Sequence, residues 1–236
     1  MDWSDYDAAL FDLDGVITPT AEVHQRAWGR MFTDFLQDHP DVDPYTDDDY
    51  FAYVDGKPRY EGVRSFLESR GIELPYGDPS DDPSGQTVCA LGNRKNDYFS
   101  EVLRTDGVEA YPGSVRLLDA LEERGVRTAL VSSSRNARLV LEAAGVTERF
   151  EVVIDGEVAA ADGIAGKPEP DTYTAAAERL GVPTTRSVVL EDAVSGVQAG
   201  AAGDFGLVVG VDRGAGRQSL LDNGADLVVA DLAELL

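Results

Sequence analysis

Apolar residues follow two rhythms along this chain. From residue 111 onward, short apolar runs alternate with stretches whose apolar positions recur at three and four. The runs are Thr128-Ala129-Leu130-Val131, Glu151-Val152-Val153-Ile154, Ser187-Val188-Val189-Leu190, Leu207-Val208-Val209-Gly210-Val211 and Leu227-Val228-Val229. Continuous apolar runs of this length mark strands covered on both faces. Helices are predicted between them over 114–124, 136–144, 171–180, 195–202 and 219–223, and Gly125, Gly145 and Gly181 stop three of these. Such alternation builds a parallel sheet with right-handed crossovers. One further apolar run, Ala8-Ala9-Leu10-Phe11, lies far upstream. Between it and residue 111 the pattern is helical, over 21–38, 60–70 and 93–104, with acidic or Pro-rich loops over 37–49 and 76–86. The expected fold class is therefore α/β: a Rossmann-like parallel core of residues 1–18 and 107–236, with an inserted helical cap domain over 19–106. An insertion that leaves at the carboxyl end of the first strand is well placed to be a lid.

Composition narrows the setting. The 236 residues are 43% hydrophobic, enough for a real core. No apolar run approaches the length of a membrane span. The first residues, Met1-Asp2-Trp3-Ser4-Asp5, lack the basic and apolar regions of a signal peptide. The single cysteine, Cys89, sits among Val88, Ala90 and Leu91, fits packing better than reactivity, and excludes an internal disulfide. A cytoplasmic monomer is expected. The net charge is −24, from 20 Lys+Arg against 44 Asp+Glu, which argues against nucleic acid and anionic membranes as partners. Only three of the basic residues are lysines: Lys57, Lys95 and Lys167. Abundant carboxylate with little lysine suits a halophilic protein, because salt screens the self-repulsion. In a chain that otherwise avoids lysine, the three retained ones are candidates for a task, against the simpler reading of chance retention.

Four predicted strand ends carry chemistry. The first strand runs into Asp12-Leu13-Asp14-Gly15. Two carboxylates this close repel unless a proton or cation neutralises them. One as nucleophile, the other as proton carrier and a divalent metal alongside would account for both; an ordinary Asx turn is the alternative. The second end presents Ser132-Ser133-Ser134-Arg135-Asn136 before a helix, a candidate anion site or merely a helix cap. Lys167 lies between Gly166 and Pro168, with Pro170 stiffening the segment, and reads as a phosphate counter-charge or a surface lysine. Glu191-Asp192 supplies hard oxygen donors of the type Mg²⁺ accepts, or a helix cap. In combination the four ends assemble a phosphoryl-transfer site.

With these motifs in order, the chain resembles the haloacid dehalogenase superfamily, and within it the β-phosphoglucomutase-like subfamily. Nearly the whole chain takes part. The resemblance is carried by Phe11 to Thr18, by Thr20-Ala21-Glu22-Val23-His24 with Arg26-Ala27-Trp28, by Gly56 to Arg59, and by Arg94-Lys95-Asn96-Asp97. It continues through Tyr111-Pro112-Gly113, Ser132 to Asn136, Lys167 to Asp171 and Glu191-Asp192. It implies that Asp12 becomes an aspartyl phosphate and that Asp14 is the general acid and base. It implies a Mg²⁺ cofactor held by Asp12, the Asp14 backbone carbonyl, Glu191 and Asp192. Ser132, the Ser133 backbone and Lys167 would hold the transferring phosphate. Arg59, Ser134 and Asn136 would hold the other phosphate of a bisphosphate, with Arg135 replacing the usual lysine. His24 and Lys95 would couple cap closure to Asp14. Pro19 departs from the pattern, standing where the family has Asp, and removes a backbone donor at the hinge.

The implied substrate is a small phosphorylated sugar. A mutase must exclude water and hold a phosphate at either end of the sugar, and Arg59, Lys95 and Arg135 supply cations for the second end. Hexose phosphate isomerisation, β-glucose 1-phosphate to glucose 6-phosphate, is therefore favoured over sugar-phosphate hydrolysis. A dehalogenase has no need of Asp14. A phosphonate hydrolase would need a Schiff-base lysine from the cap, for which Lys57 and Lys95 remain open. A degenerate binding module would lack a catalytic group, and none is lacking.

Overall fold

The structure is a computed structural model that describes residues 1–55 and 57–236, with the backbone alone at Ala21 and Asp106. Gly56, one end of a segment that carries the resemblance, lies outside the described residues. The chain divides into two compact units, residues Met1–Thr20 with Val108–Leu236, and residues Ala21–Gly107.

The first unit is built on six parallel strands: β1 (Ala8–Phe11), β2 (Arg127–Val131), β3 (Val152–Ile154), β4 (Ser187–Glu191), β5 (Leu207–Val211) and β6 (Leu227–Val229). Their order across the sheet is β3-β2-β1-β4-β5-β6, with Leu10 of β1 opposite Ala129 of β2 and Val189 of β4. The chain builds outward from β1 to one side through β2 and β3, then returns to the other side with β4. In sheets of this kind the crossovers diverge at that point and leave a crevice beyond the carboxyl ends of the strands. Asp12, the residue after β1, stands there.

Burial explains the apolar runs. All four residues of β1 are fully buried, and Ala129, Leu130, Val131, Val188, Val189 and Leu190 are too. Helix α8 (Asp171–Leu180) packs Tyr173, Ala176, Ala177 and Leu180 onto Leu10, Val131, Ile154 and Val189. Its two alanines let the helix lie close to the sheet, and each large aliphatic chain buried there stabilises by about 1.5–3 kcal/mol. Glycines end α5 (Pro112–Arg124) and α8 in the left-handed conformation, with φ of +70° at both Gly125 and Gly181, which a side chain would disfavour.

The second unit is helical. It holds α1 (Thr20–Leu36, whose first residue belongs to the first unit), α2 (Asp47–Asp49), a π-helical turn over Tyr50–Val54, α3 (Arg59–Ser69) and α4 (Val88–Asp106). Its core is aromatic where the sheet's is aliphatic. Phe32 lies 3.8 Å from Phe66, 5.4 Å from Trp28 and 5.6 Å from Tyr45, centroid to centroid. Cys89 is buried in the same cluster.

Several elements differ from the sequence pattern. α4 starts at Val88 rather than 93, because Thr87 caps it by accepting the Ala90 N–H at 3.0 Å. Residues 47–49 are helical at the end of the expected loop, and 50–54, for which the pattern predicts no element, form the π-helical turn. The helix α7 (Gly156–Asp162) has no buried residue, so no apolar stripe announced it. The remaining helices of the first unit are α6 (Ala137–Ala143), α9 (Val194–Ala202) and α10 (Arg217–Asp222).

Candidate active site

The loop after β1 is shaped by its own backbone bonds. The Asp12 N–H donates to the Leu190 carbonyl at 2.9 Å, extending the β1–β4 ladder by one residue. The chain then turns at Gly15, whose φ is +81°. A Cβ at this position would run into the Asp192 carboxylate, so glycine is required by conformation and by space. Gly15 N–H reaches the Thr18 carbonyl at 2.8 Å, and the Ile17 and Thr18 N–H groups both reach the Leu13 carbonyl. The Asp14 carboxylate accepts from the Thr20 hydroxyl, and the Thr18 and Thr20 hydroxyls are 2.8 Å apart. Thr20 is thus the first residue of α1, with its side chain committed to the loop.

Lys167 joins the strand ends. Its Nζ lies 2.5 Å from Asp12 Oδ1, 2.5 Å from Glu191 Oε1 and 3.2 Å from the Val131 carbonyl, so one amine touches the ends of β1, β4 and β2. The Tyr173 ring centroid is 5.0 Å from the same atom. Burial works against the lysine charge, but Asp12 and then Glu191 outweigh it and hold the amine well above the usual lysine range. The Asp12 carboxyl is pushed well up by burial; Lys167 opposes this, while Glu191 and Asp14 add to it. The second Glu191 oxygen accepts the Ala193 N–H at 2.7 Å. Gly196 leaves room for that carboxylate, since a Cβ there would overlap it.

The donor set fits a hard divalent cation. Asp12, Glu191 and Asp192 each offer a carboxylate oxygen, all within 4.8 Å of one another. These acids, with Asp14 beside them, outnumber the one lysine that pairs with Asp12 and Glu191. Oxygen donors in a negatively charged cluster are what Mg²⁺ takes.

Beyond β2 the chain folds into two tight turns. Ser132 Oγ accepts the Ser134 N–H and Ser134 Oγ the Asn136 N–H, each at 3.1 Å. Gly156, first residue of α7, donates to the Ser134 carbonyl at 3.1 Å. A Cβ on Gly156 would sit 2.6 Å from the Ser133 carbonyl oxygen, so this close approach also requires glycine. Ser132 and Asn136 are buried, while Ser133, Ser134 and Arg135 are half-buried.

The structure therefore brings Asp12, Asp14, Lys167, Glu191 and Asp192 into one cluster, with Ser132–Asn136 following the adjacent strand. His24, Lys95 and Arg59 form a cluster of their own in the second unit. Lys95 Nζ meets His24 Nδ1, and His24 stacks on Phe99 at 4.1 Å. Arg59 Nη2 donates to Asn96 Oδ1 at 2.8 Å. Burial, then the charges of Lys95 and Arg59, hold the His24 imidazole well below its ordinary pKa. Lys57 donates to Ser65 at 2.8 Å. The parts that Thr20, Tyr173, Gly156 and Gly196 play in the site emerge from the structure. Of these, the Gly196 position four residues beyond Asp192 and the Gly156 position after a strand were the readable signals.

Comparison with known proteins shows the family. The haloacid dehalogenase-like hydrolase family model matches residues 6–204. A β-phosphoglucomutase of Mycobacterium bovis is 48% identical over 97% of this chain and 91% of its own length. One of Bacillus subtilis is 34% identical over the same shares. The crystal structure of a Clostridium difficile β-phosphoglucomutase superposes with a TM-score of 0.79 at 25% identity, covering 98% of this chain and 93% of that one. With its parallel core and the acidic cluster at the strand ends, the chain belongs to the haloacid dehalogenase family and is an enzyme of phosphoryl transfer.

Proposed function

We propose that this enzyme is a Mg²⁺-dependent β-phosphoglucomutase acting through an aspartyl phosphate on Asp12. The observation that carries the reading is Lys167, whose amine is in contact with the ends of three strands, including both Asp12 and Glu191. A buried cation there opposes the rise that burial imposes on the nucleophile's pKa and faces the charge that develops on a transferring phosphoryl group. The similarity to proteins named β-phosphoglucomutase over nearly their whole length supports the choice of sugar.

In the first half-reaction an Asp12 carboxylate oxygen attacks phosphorus of a sugar bisphosphate. The bond to the sugar oxygen breaks, and Asp14 gives that oxygen its proton. In the second, the other hydroxyl of a glucose monophosphate attacks the same phosphorus, Asp14 takes the hydroxyl proton, and Asp12 leaves as carboxylate. The Thr20 hydroxyl, bonded to the Asp14 carboxylate, orients it for both transfers. Asp12, Glu191, Asp192 and the Asp14 carbonyl would hold Mg²⁺, which when bound supplies positive charge to the phosphoryl oxygens. Ser132, the Ser133 N–H and Lys167 hold the transferring phosphate. Ser134, Arg135 and Asn136 take the second phosphate.

Phosphorus NMR tests the proposal. Enzyme, Mg²⁺ and β-glucose 1-phosphate with a trace of the 1,6-bisphosphate should yield glucose 6-phosphate without inorganic phosphate. Inorganic phosphate alone would make the enzyme a sugar-phosphate phosphatase. Asp12→Asn should abolish both products; full activity in that variant would refute the nucleophile.

A further inference from the structure

Three successive carbonyls of the catalytic loop are each held by a donor distant in sequence. Gly15 O accepts from Arg213 Nε at 2.9 Å, Val16 O from Ser114 Oγ at 2.6 Å, and Ile17 O from the Tyr111 N–H at 2.8 Å. Arg213, in the segment between β5 and α10, makes further contacts. Its Nη1 donates to the Ala230 carbonyl, just past β6, at 3.0 Å, and its guanidinium carbon lies 4.0 Å from the centroid of the Tyr111 ring. One side chain thus joins the loop, the segment that enters α5 and the end of β6.

The Gly15 carbonyl is where such a tie matters most. A glycine at positive φ rotates more freely than any other residue, and this one directly follows Asp14 while its α-carbon faces the Asp192 carboxylate. The Val16 and Ile17 carbonyls are anchored further along. The Gly15 N–H is held by the Thr18 carbonyl, so Arg213 supplies the anchor for the other side of the residue, the Gly15–Val16 peptide one residue beyond Asp14. A planar guanidinium that donates in two directions and stacks on an aromatic face fixes it as a lysine or a glutamine does not.

We propose that Arg213 is a positioning residue for Asp14, acting through the Gly15 peptide and braced by Tyr111. The inference rests on the reading of Asp14 as the general acid and base. It concerns proton transfer, so its effect depends on the leaving group. A sugar oxygen needs the Asp14 proton as its bond to phosphorus breaks, whereas the acetate released from acetyl phosphate departs as a stable anion and needs none.

The experiment follows single-turnover consumption of glucose 1,6-bisphosphate and of acetyl phosphate by the Mg²⁺-loaded enzyme. Arg213→Gln should slow the sugar donor about tenfold or more, since small misplacements of a catalytic group carry penalties of that order. The acetyl phosphate rate and the KM for sugar should stay within about twofold. Tyr111→Leu keeps the backbone bond to Ile17 but removes the stacking face, and should give the same selective loss at smaller size; it also carries the test if Arg213→Gln does not fold. Equal losses on both donors would reduce Arg213 to a structural brace, and no loss on either would remove its role; both overturn the proposal. Asp12→Asn should lose both donors. If it retains them, the underlying reading of the site fails, independently of Arg213.

Discussion

Two of the three lysines in this chain are buried, and their described neighbours differ in kind. Lys167 is 4% exposed and Lys95 3%. Lys167 sits among strand ends in direct contact with the Asp12 and Glu191 carboxylates. Lys95, on α4, meets the imidazole of His24 and lies over the rings of Trp28 and Phe99, at 5.1 Å and 4.9 Å. Burying an ammonium is costly unless something replaces its water. In the first unit the replacement is formal negative charge, which makes a site suited to a metal and a phosphate together. In the second it includes an uncharged nitrogen and aromatic faces. The difference teaches that burial of a lysine does not by itself specify its work; the type of neighbour does.

The comparison can be broken most decisively at Lys167. Lys167→Met should lower kcat on the order of 10³-fold by removing charge facing the phosphoryl group. It should also destabilise the fold by about 3–5 kcal/mol, because two buried carboxylates lose their cation, and added Mg²⁺ should recover part of that stability. Chemical denaturation with and without Mg²⁺ measures it. Lys95→Met should cost less, about 1–2 kcal/mol, as a methionine keeps contact with the rings. Equal effects at both positions would erase the distinction.

His24 sharpens the contrast through pH. Its folded pKa lies well below the ordinary imidazole value of 6.5, so below that pH the unfolded chain binds more protons than the folded one. Stability is complete above about pH 6.5 and falls as pH drops toward the folded pKa. The slope is at most about 1.4 kcal/mol per pH unit for one such group. His24→Asn should flatten the stability profile between pH 6.5 and the acid limit by up to that amount, read from denaturation midpoints across pH.

The smallest effect is that of salt on the lysine comparison itself. A net charge of −24 means that molar KCl should raise the thermal midpoint of the wild type. It should leave the gap between the Lys167→Met and Lys95→Met variants nearly unchanged, since buried groups are screened little. No rise in the midpoint would remove the case for adaptation to salt.

Legibility in the sequence followed burial. The strands were readable because β1 and β4 are covered on both faces and had to be apolar throughout. Helices closed by Gly125 and Gly181 were readable because a left-handed cap leaves a residue-type signature. The short helix α7 had no such signature, for no part of it faces the core. The π-helical turn over Tyr50–Val54 escaped for another reason: its spacing matches neither three and a half residues nor two. In the site, Asp12, Asp14, Lys167, Glu191 and Asp192 stood out as polar residues placed where apolar runs end. Arg213 did not, being one of 17 arginines in a loop of ordinary composition.

The sequence by itself determined the parallel core, the helical insertion, and the residue types at four strand ends. Those follow from local periodicity and from the rule that a buried strand must be apolar until it emerges. Only the tertiary structure decided that one amine would touch Asp12, Glu191 and Val131 together, that Gly15 and Gly196 must lack side chains beside the carboxylates of Asp192 and Glu191, and that Arg213 would hold the Gly15 carbonyl. Except for Gly196 beside Glu191, these contacts join residues 24 to 198 positions apart. Their existence depends on strand order and register, which bring distant segments within bonding distance and which no local pattern encodes.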